Sequence, residues 1–100
     1  AERAQIRLEA CSEWRSLVSE LHAARRAYAA AEKHEKQVRT EELPRATANL
    51  QRMERLCRAG EVDLLQYRLA LQTLATTQLN AIDAQQAVRD ARITLTSFAE

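Results

Sequence analysis

Two histidines, two cysteines and fourteen carboxylates are the groups in this 100-residue chain that could do chemistry. A metal-binding helix would place histidine and carboxylate ligands one turn apart, as in Glu-x-x-His or His-Glu-x-x-His. His22 and His34 stand 12 residues apart and form neither pattern. His34 lies in "EKHEK", which reads as a solvated, charged helix face. Cys11 and Cys57 are 46 positions apart, with no Cys-x-x-Cys spacing and no histidine spaced to activate either thiol. They read as small hydrophobes. A disulfide between them would require their Cα atoms to come within about 7 Å, which the spacing leaves open. Adjacent Glu41 and Glu42 read as complements to a helix start rather than an acid–base pair. A single glycine leaves no phosphate-cradling loop. The expectation is a chain that is not an enzyme, with no catalytic residues, no metal and no cofactor.

The elements that carry these residues are helices. Alanine supplies 19 residues and leucine 13, against one Gly, one Pro and four aromatics, a composition that favours long helices. So few large side chains fill no wide core, and small residues suit helices lying close along an extended seam. The fold class expected is all-α, a long antiparallel, coiled-coil-like helical hairpin forming one domain over residues 1–100. Fifteen basic and fourteen acidic residues are intermingled for a net charge of +1, with no basic block of the kind nucleic acid binding needs. The longest uncharged stretch, Leu69 to Ile82, has 14 residues and includes Gln72, Thr73, Thr76, Thr77, Gln78 and Asn80. Spanning a bilayer takes roughly 20 apolar residues, so this segment is not expected to cross one. The chain opens at Ala1 with no secretory pattern, as a processed protein or an excised piece would.

Along the first arm, residues 1–58, Ala10, Trp14, Leu17, Leu21, Ala24, Tyr28 and Ala31 recur in steps of four and three, with Val18 widening the stripe. Glu32–Lys36 and Glu35–Arg39 are spaced for i,i+4 pairs. "RTEELPRA", residues 39–46, interrupts the run: Pro44 lacks an N–H and crowds the preceding turn, so a kink or break is expected within 39–44. Thr40 is the expected cap of the restarted helix. Leu43, Ala46, Leu50, Met53 and Cys57 then resume the spacing, and Arg52, Arg55 and Arg58 load its C-terminal turns.

Stop, turn and start signals crowd the next few residues. Gly60 is placed to close the helix in the left-handed conformation. Asp63 is placed as the next N-cap with Gln66 at N3, and Val62 and Tyr67 stand where a hydrophobic staple forms. A turn at residues 59–63 makes the helices antiparallel neighbours. The return helix, residues 64–98, carries Leu64, Leu71, Leu74 and Ile82 on one side and Leu65, Leu69 and Leu79 on another. One partner helix cannot bury both stripes, so self-association or further helices are expected, with Ala70, Ala75, Ala81, Ala84, Ala87 and Ala91 permitting close approach.

Residues 42–100 resemble the C-terminal repeat of outer membrane factors, the TolC-like outer membrane efflux protein family. Leu43, Pro44 and Ala46 match an LPxA element. Ala59, Gly60, Glu61, Leu64, Leu65, Ala70 and Leu74 match the glycine-turn element and the leucines after it. The chain departs from the family pattern at Leu56 and Cys57, where Arg-Tyr is usual, at Asp63, where Ser or Thr is frequent, and at Arg68 and Leu69. Residues 1–41 match only as compatible helix. The resemblance implies a periplasmic segment of a trimeric outer membrane efflux or secretion channel, its long helices forming part of an α-barrel. It implies that Ala59, Gly60, Glu61, Val62 and Asp63 dock a membrane-fusion adaptor that joins the channel to an inner-membrane pump, with Arg55 and Arg58 contributing charge. The competing reading from periodicity alone is a soluble coiled-coil protein–protein interaction module without a transport role. A periplasmic adaptor's own hairpin is a further rival, disfavoured because no flanking β segments are visible.

Overall fold

The computed structural model describes residues 2–99. Leucine, alanine and arginine propensity carries the backbone through α1, Glu2–Gln37, a five-residue π-helical turn, Val38–Glu42, and α2, Leu43–Arg58. After a short corner the chain returns as α3, Leu64–Ser97, which packs along α2, the π turn and α1. No strand occurs among the described residues. The product is an all-α antiparallel hairpin of 84 × 20 × 14 Å. At about 1.5 Å per residue, the first arm is the longer of the two by more than 30 Å, taking roughly 57 residues against 34.

The interruption at residues 39–44 is neither a capped restart nor a break. Gln37 (φ −62°, ψ −45°) and Leu43 (φ −66°, ψ −47°) flank the π turn in ordinary helical geometry, and the Leu43 N–H donates to the Val38 carbonyl five residues back. Thr40 does not cap: its hydroxyl donates to the Lys36 carbonyl at 2.7 Å. Pro44 follows as the second residue of α2. Its ring presses on the preceding turn and its missing N–H leaves a carbonyl there unserved, and a widened turn relieves both. Of the two ion pairs expected upstream, Arg39 Nε meets Glu35 Oε1 at 3.0 Å, whereas Glu32 and Lys36 form none.

The most deeply buried positions of the seam are small residues. Along α3 the buried or half-buried positions are Tyr67, Ala70, Leu74, Thr77, Ala81, Ala84, Val88, Ala91, Leu95 and Phe98, in alternating steps of three and four. Ala70 and Ala84 are the most covered of these, opposed by Ala24, Val38 and Ala46 of the first arm. Both leucine stripes expected on α3 lie largely outside the seam: Leu64, Leu65, Leu69, Leu71, Leu79 and Ile82 are exposed, and only Leu74 joins it. Alanine at the most covered positions lets the two backbones approach more closely there than leucine would. Thr77 sits in the seam without a stranded hydroxyl because it donates to the Thr73 carbonyl at 2.8 Å. On the first arm the expected stripe is covered from Val18 and Leu21 onward; Ala10, Trp14 and Leu17 extend past the end of α3 and are exposed.

Overpacking this seam is predicted to be more damaging than emptying the exterior. Ala84→Leu should destabilise the hairpin by about 1–3 kcal/mol, while Leu79→Ala, at a position 63% exposed, should fall within about 0.5 kcal/mol of the parent chain. Urea titration followed by circular dichroism would measure both.

Candidate functional site

The corner at the closed end of the hairpin is where the predicted residues come together. α2 ends on Ala59 (φ −78°, ψ −5°), and Gly60 follows with φ +73°, the one positive φ among the described residues. The Glu61 N–H donates to the Leu56 carbonyl at 2.9 Å and the Gly60 N–H to the Cys57 carbonyl at 3.1 Å. These are the paired six-to-one and five-to-two bonds of a Schellman closure, and they satisfy carbonyls the helix end would leave open. Asp63 (φ −84°, ψ 169°) then accepts from the Gln66 N–H at 3.0 Å through Oδ1. Val62 and Tyr67 are both half-buried, as a staple across that start requires. The whole reversal takes five residues, 59–63, the span expected from sequence.

All seven candidate residues therefore lie within one short arc, but they differ in what they offer. Ala59, Gly60, Glu61 and Asp63 are exposed, whereas Val62 turns partly inward. Arg58 reaches back one turn to Glu54, Nη2 to Oε1 at 2.7 Å, so its charge is directed along α2 rather than off the tip. Arg55 is exposed without an ion-pair partner among the described residues. Asp63 spends one carboxylate oxygen on the helix start, which leaves Glu61 as the acidic group with both oxygens unengaged.

The expected docking residues stop at Asp63 and leave out an apolar element beside this corner. Leu64 and Leu65, the first two residues of α3, are each 64% exposed. With Tyr67 and Cys57, Leu64 floors a shallow open notch rimmed by Glu54 and Arg58. The available signal was position: two leucines directly after an N-cap occupy sites where helices present side chains to solvent.

No group of three or more histidine, cysteine or carboxylate residues among those described could hold a metal. Cys11 is exposed and Cys57 half-buried, and both are free. About 1.5 Å of rise per residue over 46 residues puts them roughly 70 Å apart, beyond the reach of a bond. No helix among the described residues is long and apolar enough to cross a membrane. Comparison with protein-family models, with curated proteins and with solved structures found no match.

The corner's geometry predicts unequal roles for its residues. Gly60→Ala meets no atom within 4 Å but forces a Cβ onto φ +73°, and should destabilise by about 1–2 kcal/mol. Asp63→Ala, losing the cap, should lose about 1 kcal/mol. Glu61→Ala, which removes only an exposed side chain, should leave stability unchanged. Equilibrium unfolding of the three variants checks the ranking.

Proposed function

We propose that this chain is the periplasmic helical-hairpin segment of a TolC-like outer membrane efflux channel, and that its corner docks a membrane-fusion adaptor coupled to an inner-membrane pump. The observation that carries the reading is the corner itself: a rigidly closed tip, fixed by a Schellman closure and an Asp63 cap, at the end of a hairpin 84 Å long. Of the residues that build it, Ala59, Gly60, Glu61, Leu64 and Leu65 are among those that carry the resemblance to that family, and Asp63 departs from it. A docking surface needs a fixed backbone, apolar contact area and charges at its rim. Here Leu64 and Leu65 supply exposed apolar area, and Arg55, Glu61 and the Glu54–Arg58 pair supply the rim.

The exposed apolar residues of α3 fit the same reading. Leu69, Leu71, Leu79, Ile82 and Ile93 lie outside the hairpin's own seam, as they would where neighbouring helices of a trimeric α-barrel cover them. In such a channel this segment is passive: it forms wall and tip, and the opening force comes from the adaptor and pump. The segment itself does not span the membrane, and the reading puts it in the periplasmic portion of an outer membrane protein.

The test uses single cysteines at positions 58 to 64 of the parent protein, in a Cys11→Ser, Cys57→Ser background, with crosslinking in cells to the co-encoded adaptor. Crosslinks concentrated at Gly60→Cys, Glu61→Cys and Leu64→Cys, and absent at Gln51→Cys on the arm, are the expected result. Efficient crosslinking along the arms with the corner silent would reduce the corner to a structural turn and favour the interaction module.

A further inference from the structure

The two arms do not count in the same way. On α3 the seam repeats every seven residues without a fault, through Tyr67, Leu74, Ala81, Val88 and Leu95 and through Ala70, Thr77, Ala84, Ala91 and Phe98. On the first arm Ala24, Ala31 and Val38 are seven apart, and so are Ala46 and Met53, but Val38 and Ala46 are eight apart. The extra residue falls within Val38–Glu42, the π turn. A π turn inserts one residue into a helix without breaking it, and one residue is about 100° of rotation about the helix axis.

That rotation decides which side chains meet α3. Counting back from Ala46 in unbroken sevens reaches Arg39, Glu32 and Arg25, all of which are exposed in the structure. With the extra residue absorbed, the seam instead receives Val38, Ala31 and Ala24, and Val38 is fully buried. A continuous α-helix through this region would thus drive three charged side chains against a close-packed alanine seam, where ions without partners are strongly disfavoured. The phase carries on outward. Trp14 and Leu17 stand seven residues before Leu21 and Ala24, so the exposed stripe on the overhang faces the same side as the seam. In the other phase Arg15, Val18 and His22 would take that side.

We propose that the Val38–Glu42 turn is a one-residue skip that sets the rotational phase of the outer arm, fixing both its seam against α3 and the direction in which the Trp14–Leu17 stripe points. Pro44 holds the skip at this place: its ring and missing N–H make a tight α-turn unfavourable immediately before it, and the Thr40 hydroxyl adds a donor to the Lys36 carbonyl at 2.7 Å. The inference concerns the hairpin itself and stands whether or not the tip docks an adaptor.

Deletion of Thr40 tests it. Removing one residue from the turn lets a plain α-helix place Val38 seven residues before the present Ala46, so the buried residues Ala24, Val38 and Ala46 keep their places. Thermal unfolding of the full 100-residue chain, followed by circular dichroism at one concentration, should give a midpoint within about 5 °C of the parent. A second variant combining this deletion with Pro44→Ala removes the ring's clash from the new α-turn. Deletion of exposed Gln78 from α3 is the counterpart with no skip to absorb it: it moves Gln85, Arg89 and Arg92 into the places of Ala84, Val88 and Ala91, and should lower the midpoint by more than about 10 °C. If both Thr40 deletions fall as far as the Gln78 deletion, the turn is not a skip. If the Gln78 deletion is tolerated too, phase does not govern this hairpin; either result overturns the proposal.

Discussion

Everything in this hairpin depends on how closely two long helices can approach. Ala24, Ala46, Ala70 and Ala84 are among the few buried side chains, and each is little more than a methyl group. Their burial removes little apolar area, at about 0.8 kcal/mol per methylene-sized group, so the seam gains its strength from length and from dispersion between closely spaced backbones. Such a contact tolerates no rotation. A leucine seam can repack around a helix turned by a few tens of degrees, whereas a seam of alanines flanked by Arg25, Glu32 and Arg39 replaces contact with charge as soon as it turns. Straight arms, strict sevens on α3 and a compensated eight on the first arm all follow from this requirement.

The corner follows from it too. Because each seam layer is weak, the reversal cannot be left loose, or the arms would slide and exchange partners. Gly60 at φ +73°, the two closing bonds from Gly60 and Glu61, and the Asp63 cap on Gln66 fix the reversal from both sides. Val62 and Tyr67 then tie the exit of one helix to the first turn of the next. The same fixity that keeps the arms in register presents Glu61, Leu64 and Leu65 on an unyielding frame, so stability and a pre-formed surface have one cause.

Much of this was legible in the sequence, and what was not has a common origin. Gly60, Asp63, Gln66, Val62 and Tyr67 announced the corner residue by residue because caps and Schellman closures are local: their chemistry is complete within eight residues. The hairpin and its helical class followed from composition. The seam was misjudged because hydrophobicity draws attention to leucine, and seven of the large apolar positions on α3 are exposed. Which stripe is buried depends on interaxial distance, a property of the pair that neither helix encodes alone. Pro44 signalled an interruption correctly, but whether a helix answers proline by breaking or by widening depends on the phase that the partner demands downstream. The Leu64–Leu65 element was visible as two letters, yet its exposure becomes meaningful only once Leu64 is seen to share a notch with Tyr67 and Cys57.

The distribution of the remaining apolar surface gives the hairpin a side. Outward from α2 stand Arg45, Gln51, Arg52, Arg55 and Arg58, a face that water solvates well. Outward from α3 stand Leu65, Leu69, Leu71, Leu79, Ile82 and Ile93; between Leu69 and Ile82 only uncharged residues such as Gln72 and Gln78 intervene, and the ions Arg68, Asp83, Arg89, Asp90 and Arg92 lie on either side of that stretch. Besides Ile6, Leu8, Trp14 and Leu17 near the free end of α1, the exposed large apolar residues all stand on α3, and large exposed apolar faces are disfavoured in isolated soluble chains. The asymmetry has a simple physical sense if α3 is an inner member of a larger helical layer, with the first arm at its edge or lining water. Small residues then serve the contact inside the hairpin, where approach must be close. Leucines and isoleucines serve the contacts outside it, where spacing between units is wider and affinity must come from area. Alanine at the most covered positions inside and leucine outside is the arrangement that the proposed α-barrel reading requires of a helix covered by neighbours.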